Sequence, residues 1–227
     1  MAEPCRIVVL ASGNGSNFQA LIDAVASGRI ANSKITRLVV NRKTAFATER
    51  AKKAGIPSEY FNMVSEGYQA KGEKDPQKLQ EGREKYDAAL AEKILNENPA
   101  QSPDLIVLAG WMHILTESFL RPFAAKGVPI INLHPALPGK YDGANAIGRA
   151  FEDFQAGKLE NSKTGIMIHY VIAEVDRGEP ILVQEIECRE GETLHDLEQR
   201  IHGHEHELIV KATAKIAEGI LADKSRR

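Results

Sequence analysis

The sequence predicts an α/β protein built on a doubly wound, Rossmann-like, mostly parallel sheet. Three observations carry this. Before residue 143, short β-branched apolar runs alternate with segments of helical period, the pattern of parallel strands and their crossover helices. The best of those runs are apolar throughout, as strands covered on both faces must be. Beyond residue 143, two strand-like runs follow one another and give way to a long amphipathic segment, so the sheet should end in a hairpin and the chain in a long helix.

In chain order, Arg6 to Ala11 is the first buried strand. Ser16 to Ser27 sets Phe18, Leu21, Ile22 and Val25 at helical spacing and stops at Gly28. Lys34 to Asn41 is a second strand, and Ala45 to Ala54 a second helix closed by Gly55. Ile56 to Phe61 is a short edge strand, because Pro57 lacks the N–H that a central strand needs. Residues 63–82 are polar, rich in Lys, Gln, Glu and Gly, and contain Pro76; they read as a surface insertion or mobile loop. Arg83 to Asn98 is a helix with Tyr86, Leu90, Ile94 and Leu95 on its apolar face. Asp104 to Gly110 is the most apolar run and the expected centre of the sheet. Thr116 to Lys126 is a short helix, and Pro129 to Asn132 the next strand. Ala144 to Gly157 is a helix, and Thr164 to Ala173 and Pro180 to Cys188 are strands joined by a turn at Asp176-Arg177-Gly178-Glu179. The helix over Thr193 to Leu221 opens on Thr193-x-x-Asp196, a capping-box pattern. Residues 222–227 read as a frayed tail. Nothing divides the chain by repeat or composition, so residues 1–227 are expected to form one domain.

At 227 residues and 43% hydrophobic content, the chain can bury a full-sized core. A net charge of −2 advertises neither nucleic acid nor membrane as partner. Its apolar runs fall short of the ~20 residues that cross a bilayer. The N-terminus lacks the basic and small-residue features of a signal peptide. Cys5 and Cys188, far apart, fit two reduced thiols in a cytoplasmic protein.

Chemistry concentrates at the expected strand ends. Asn132 and His134 lie two apart at the end of a strand, which puts both side chains on one face. An amide and an imidazole so placed can receive negative charge developing on a carbonyl oxygen, although a capping Asn and a hydrogen-bonded loop His would look the same. Gly13, Asn14, Gly15, Ser16 and Asn17 join the first strand to the first helix. The helix N-terminus there suits a phosphate, although the motif is also an ordinary tight turn. Phe18 stands where the dinucleotide fingerprint has its third glycine, and there is no Gly-Lys-Ser/Thr for a nucleoside triphosphate. Trp111, Met112, His113, Ile114 and Leu115 follow the central strand and could wall a pocket for a flat ring, or simply pack in the core. Asp176 is either plain turn chemistry or a carboxylate that raises the pKa of His134 and assists proton transfer. His202 and His206 share a helix face, but no further metal ligands are evident, so no metal site is expected.

Taken in order, Ser12-Gly-Asn-Gly-Ser-Asn17, Asn132-Leu-His134-Pro, and Gly165 through Asp176-x-Gly178 resemble the folate-dependent formyltransferases. The likeness runs from about Arg6 to about Ile216, and Leu-His-Pro-Ala-Leu-Pro-Gly with the polar insertion looks most like stand-alone fungal members. It implies formyl transfer from 10-formyltetrahydrofolate, a cosubstrate, to the amine of glycinamide ribonucleotide in purine synthesis, with no bound cofactor or metal. By the same resemblance, Asn132 and His134 would hold the oxyanion and Asp176 would keep His134 protonated. Gly13, Asn14, Gly15, Ser16 and Asn17 would hold the ribonucleotide phosphate, with Glu205 near its amine. Arg83, Met112, His113, Ile114, Leu115 and Asn132 would contact folate. The partners implied are these small molecules, and the assembly a monomer or weak homodimer. Two positions depart from the family pattern: His113 stands where arginine is common, and Ala173 where an acid is. The rival readings are a formyltetrahydrofolate hydrolase, which would carry an extra N-terminal regulatory domain, and a non-catalytic phosphoribosyl-ligand sensor.

Overall fold

The computed structural model describes residues 3–96 and 102–226. Five strands run parallel: β1 (Cys5–Ala11), β2 (Ser33–Val40), β3 (Ser58–Tyr60), β4 (Leu105–Leu108) and β5 (Ile130–His134). Two more, β6 (Lys163–Tyr170) and β7 (Pro180–Glu187), add antiparallel at one edge. The sheet order is β3-β2-β1-β4-β5-β6-β7. Around it lie α1 (Ser16–Ala26), α2 (Ala47–Lys53), α3 (Pro76–Asn96), α4 (Glu117–Ala125), α5 (Ala146–Gln155) and α6 (Leu194–Ser225).

The apolar strands feed two cores. Ile7, Val9 and Ala11 of β1 pack on one face with Phe18 and Leu21 of α1 and Ile201 and Ile209 of α6. Val8 and Leu10 point the other way, to Tyr86, Leu90 and Ile94 of α3 and Phe119 and Phe123 of α4. This division by alternate residues explains why β1 beyond Arg6, and all of β4, carry no polar side. Each large side chain buried there contributes roughly 1.5–3 kcal/mol. From β1 the chain steps outward to β2 and β3, then returns to β4 on the other flank of β1. The loops leaving β1 and β4 therefore diverge and open a crevice at the carboxyl end of the sheet.

Four expectations need correction. The segment 63–82 is not all loop, because α3 already begins at Pro76. Asp75 caps it, its Oδ1 accepting the Gln77 amide at 2.9 Å, and proline suits the first helical position. The turns before it are packed: the Tyr68 ring lies 5.9 Å from that of Tyr86, and a Cβ on Gly82 would collide with the Tyr68 carbonyl. At the other end of that helix, residues 97 and 98 lie outside the described residues. Second, β5 runs through His134, so Asn132 and His134 are strand residues. Third, β6 stops at Tyr170 and its link to β7 is the whole of residues 171–179. The Val171 amide bonds to Ile130 O at 2.8 Å, which keeps the start of that link against β5. Fourth, residues 222–225 are helical. Lys224 Nζ reaches Asp104 Oδ2 at 2.7 Å and the Pro4 carbonyl at 3.2 Å, which ties the end of α6 to the foot of the sheet. The capping box at Thr193 and Asp196 forms as the sequence predicts.

Asp104 also pairs with Arg6, Nε to Oδ2 at 3.0 Å and Nη2 to Oδ1 at 3.1 Å. Burial pushes this carboxyl up, but Arg6 and Lys224 more than offset it and hold it below the ordinary carboxylate range. A depressed carboxylate stabilises the fold above its unfolded pKa, and that stability is lost as pH falls through its folded pKa. Asp104→Asn should cost about 1–3 kcal/mol. In urea melts the variant should also lose part of the wild type's decline in stability below about pH 4.

Candidate active site

The crevice at the carboxyl ends of β1, β4 and β5 holds a cavity of about 520 Å³. Its lining comes from Gly13–Asn17, Gly110–Leu115, Asn132–Pro135 and Ile172–Asp176, with His202 and Glu205 of α6 at the rim. A larger depression of about 720 Å³ at the opposite end of the strands is lined by Arg6, Lys34, Thr36 and Pro57 among others. It lies at the amino ends of β1 and β2, away from the polar cluster, and the chemistry belongs to the smaller cavity.

Gly15 is the N-cap of α1 with φ +76°, and no side chain caps that helix. The first-turn amides are thus left open toward the cavity, where the helix carries about half a positive charge. Glycine is required there: an added Cβ would lie 2.7 Å from Ala47 Cβ and 2.9 Å from its Cα. The loop is braced from three sides. The Ser12 amide donates to Gly110 O at 3.0 Å, and Ser12 Oγ accepts the Met112 amide at 2.8 Å. Arg50 grips Asn14 with Nε to its carbonyl at 2.9 Å and Nη2 to Oδ1 at 2.8 Å. Asn17 Nδ2 donates to Glu205 Oε2 at 3.0 Å, and both residues are buried. Glu205 therefore reaches the same end of the cavity as the glycine loop.

At the centre, Asp176 sits in the 171–179 loop with φ +55°. Its Oδ2 accepts the Gly143 amide at 2.8 Å and lies 3.3 Å from His134 Nδ1. Its Oδ1 lies 3.3 Å from Asn132 Nδ2 and 3.4 Å from His169 Nε2. Asn132 Nδ2 is also 3.2 Å from His169 Nε2. Thus Asn132, His134 and Asp176 meet, and His169 joins them. His169 was not singled out from the sequence; the available signal was position, since it faces Asn132 in the β5–β6 register.

Burial pushes the Asp176 carboxyl up, but the His169 ring, the Gly143 amide and the nearby His134 outweigh it, and it lies below the ordinary carboxylate range. Burial pushes the His134 imidazole down, and this cause prevails. Asp176 and the Lys140 carbonyl, 3.4 Å from Nε2, push it up without restoring it. The expectation that Asp176 keeps His134 protonated is corrected accordingly: the carboxylate acts in that direction, but the ring, 3% exposed, is desolvated more than it is compensated.

Met112 and Ile114 stand 61% and 50% exposed at the cavity wall, with Leu115 buried behind them. His113 turns away to Asp87, Nε2 to Oδ1 at 2.6 Å. Arg83, expected at the folate side, is on α3 outside the cavity lining. Ala173 lines the cavity. His202 faces it, while His204 Nδ1 pairs with Gln184 Nε2 at 2.9 Å. Among the described residues no group of three His, Cys, Asp or Glu side chains could hold a metal ion, and no helix is long and apolar enough to cross a membrane.

A crevice with an amide, an imidazole and a carboxylate at its centre suits group transfer. The formyl transferase family model matches residues 5–213. The chain belongs to the formyl transferase family. It is 46% identical over 211 residues to a phosphoribosylglycinamide formyltransferase of Schizosaccharomyces pombe, covering 92% of this chain and 96% of that one. A Dictyostelium discoideum protein of the same name is 48% identical over 209 residues, covering 91% and 95%. A glycinamide ribonucleotide transformylase from Symbiobacterium toebii superposes with a TM-score of 0.78 at 30% identity, covering 96% of this chain and 90% of that structure.

Gly15→Ala should cost about 1–3 kcal/mol in denaturant melts, because the left-handed conformation and the contact with Ala47 both oppose a Cβ.

Proposed function

We propose that the protein transfers the formyl group of 10-formyltetrahydrofolate to the amine of glycinamide ribonucleotide, a step of de novo purine synthesis. The observation that carries this reading is the meeting of Asn132, His134 and Asp176 in a cavity with two unlike ends. One end is a helix N-terminus with an adjacent carboxylate, and the other an apolar ledge. The names and the identities of the fission yeast and Dictyostelium relatives support it.

The ribonucleotide phosphate rests on the open amides at Gly15, Ser16 and Asn17, with Gly13 and Asn14 shaping the turn. The Glu205 carboxylate faces the cationic or polar amine end. The pteridine lies against Met112, Ile114 and Leu115, with Asn132 at its reactive edge. The amine nitrogen bonds to the formyl carbon as the C=O pair moves onto oxygen. An Asn132 N–H turns to that oxygen, at small cost because its two present contacts are long, 3.2 and 3.3 Å. His134, neutral at rest, accepts the amine proton, and Asp176 stabilises the imidazolium so formed. The imidazolium donates to the oxyanion and then passes the proton to the folate nitrogen as its bond to carbon breaks. The products are the formamide and tetrahydrofolate. Two free, buried thiols, Cys5 and Cys188, support a cytoplasmic setting.

An absorbance assay of deformylation, with and without glycinamide ribonucleotide, tests the reaction. Turnover only with the ribonucleotide is expected. Turnover with water alone would replace the reading by a hydrolase, and none in either case by a binding protein. His134→Ala should lower kcat by about 10²–10³-fold with little change in either KM; near-normal turnover would remove His134 from the chemistry. Asp176→Asn removes a charge that holds the His134 pKa up, so the ring's NMR titration midpoint should fall along with the rate. An unmoved midpoint would contradict the coupling.

A further inference from the structure

Asp87 is wholly buried on α3, with its two oxygens directed to two points of one loop. Oδ1 lies 2.6 Å from His113 Nε2, and Oδ2 accepts the Thr116 amide at 2.6 Å. The Met112 amide is tied separately to Ser12 Oγ at 2.8 Å. The Tyr86 and Trp111 rings meet the His113 ring edge-on at 5.2 and 6.4 Å. Between the tie points, Met112 and Ile114 stand out from the loop into the cavity. Side chains that exposed contribute little packing to hold the loop that carries them. Trp111 and Leu115 anchor the ends of the loop in the core; between them its shape comes from the polar ties, and two of the three converge on one carboxylate.

We infer that Asp87 and His113 are a positioning pair that sets the folate-side wall of the cavity, so that His113 acts on cosubstrate affinity without touching the reacting atoms. This rests on the reading of the cavity as a formyl-transfer site. It also gives the departure at position 113 a role: the imidazole spends its bond inward, on α3, and leaves the ledge to the backbone and to Met112 and Ile114. Cutting the tie frees the loop in the unbound protein. Folate binding then has to order it, and affinity falls. The ribonucleotide end and the Asn132–His134–Asp176 cluster, held by other bonds, keep their geometry.

Tetrahydrofolate affinity by isothermal titration and steady-state kinetics with both substrates test the pair on wild type, His113→Ala and His113→Gln. Trp111, the only tryptophan in the sequence, reports the state of the wall by its emission. His113→Ala should weaken tetrahydrofolate binding on the order of tenfold and raise the 10-formyltetrahydrofolate KM to match. Its kcat at saturation and its ribonucleotide KM should stay within about twofold of wild type. His113→Gln, whose amide can still donate to Asp87, should recover most of the loss. Unchanged affinity in His113→Ala, a loss shared by both substrates and kcat, or no recovery with glutamine would each overturn the inference. If His113→Ala does not fold, His113→Phe, which keeps a ring but cannot donate to Asp87, takes its place with the same folate-only shift expected, and its absence counts against the pair. A wild type that binds tetrahydrofolate but transfers no formyl group would defeat the functional reading alone, and the binding comparison would still decide the pair.

Discussion

The site depends on keeping Asp176 charged while it is mostly out of water. A carboxylate taken from solvent costs several kcal/mol unless donors replace its hydration. Here the donors come from three separate stretches: Gly143 from the loop after β5, Asn132 and His134 from β5 itself, and His169 from β6. The carboxylate thus gathers two strands and two loops around one point. The link between β6 and β7 takes its long path because its residue 176 is held there. The depressed pKa of Asp176 records that its partners outweigh its burial.

The same burial acts oppositely on the neighbouring ring. An imidazole resists charge when desolvated, so Asp176 and His134 share one environment that favours an ionised acid beside a neutral base. That is a useful starting point for proton transfer, because the base is vacant and its future charge already has a counter-ion. Sequence alone indicated the partners but not this balance, which depends on how deeply β5 lies beneath the loops.

Much of the fold was legible because its signals are local. Apolar runs at β1 and β4, helical spacing at Phe18, Leu21 and Ile22, and the Thr193–Asp196 box all act over a few residues. The errors fell where a long-range contact overrides composition. Residues 76–82 are polar enough to read as loop, yet Asp75 caps them into α3, and the Asp-Pro pair is the local cue to that start. Residues 222–225 look like a frayed end, but Lys224 finds Asp104, 120 residues away in the chain. At the site, residues on recognisable motifs were found, whereas His169, Arg50 and Asp87 were not. Arg50 acts through Asn14, Asp87 through His113 and His169 through Asn132, partners 36, 26 and 37 residues away, and no motif of their own announces them.

The length of α6 has a consequence of its own. One unbroken helix of 32 residues carries Glu205 and His202 at the mouth of the cavity and Lys224 at the foot of the sheet. At 1.5 Å per residue, Glu205 and Lys224 are separated by about 28 Å of stiff rod. Such a rod moves as a lever. Loss of the last few residues, or a bulky fusion placed on them, would be transmitted along the helix axis as a small displacement of the carboxylate that Asn17 holds. The far end of α6 is distant from the cavity in space and mechanically adjacent to it.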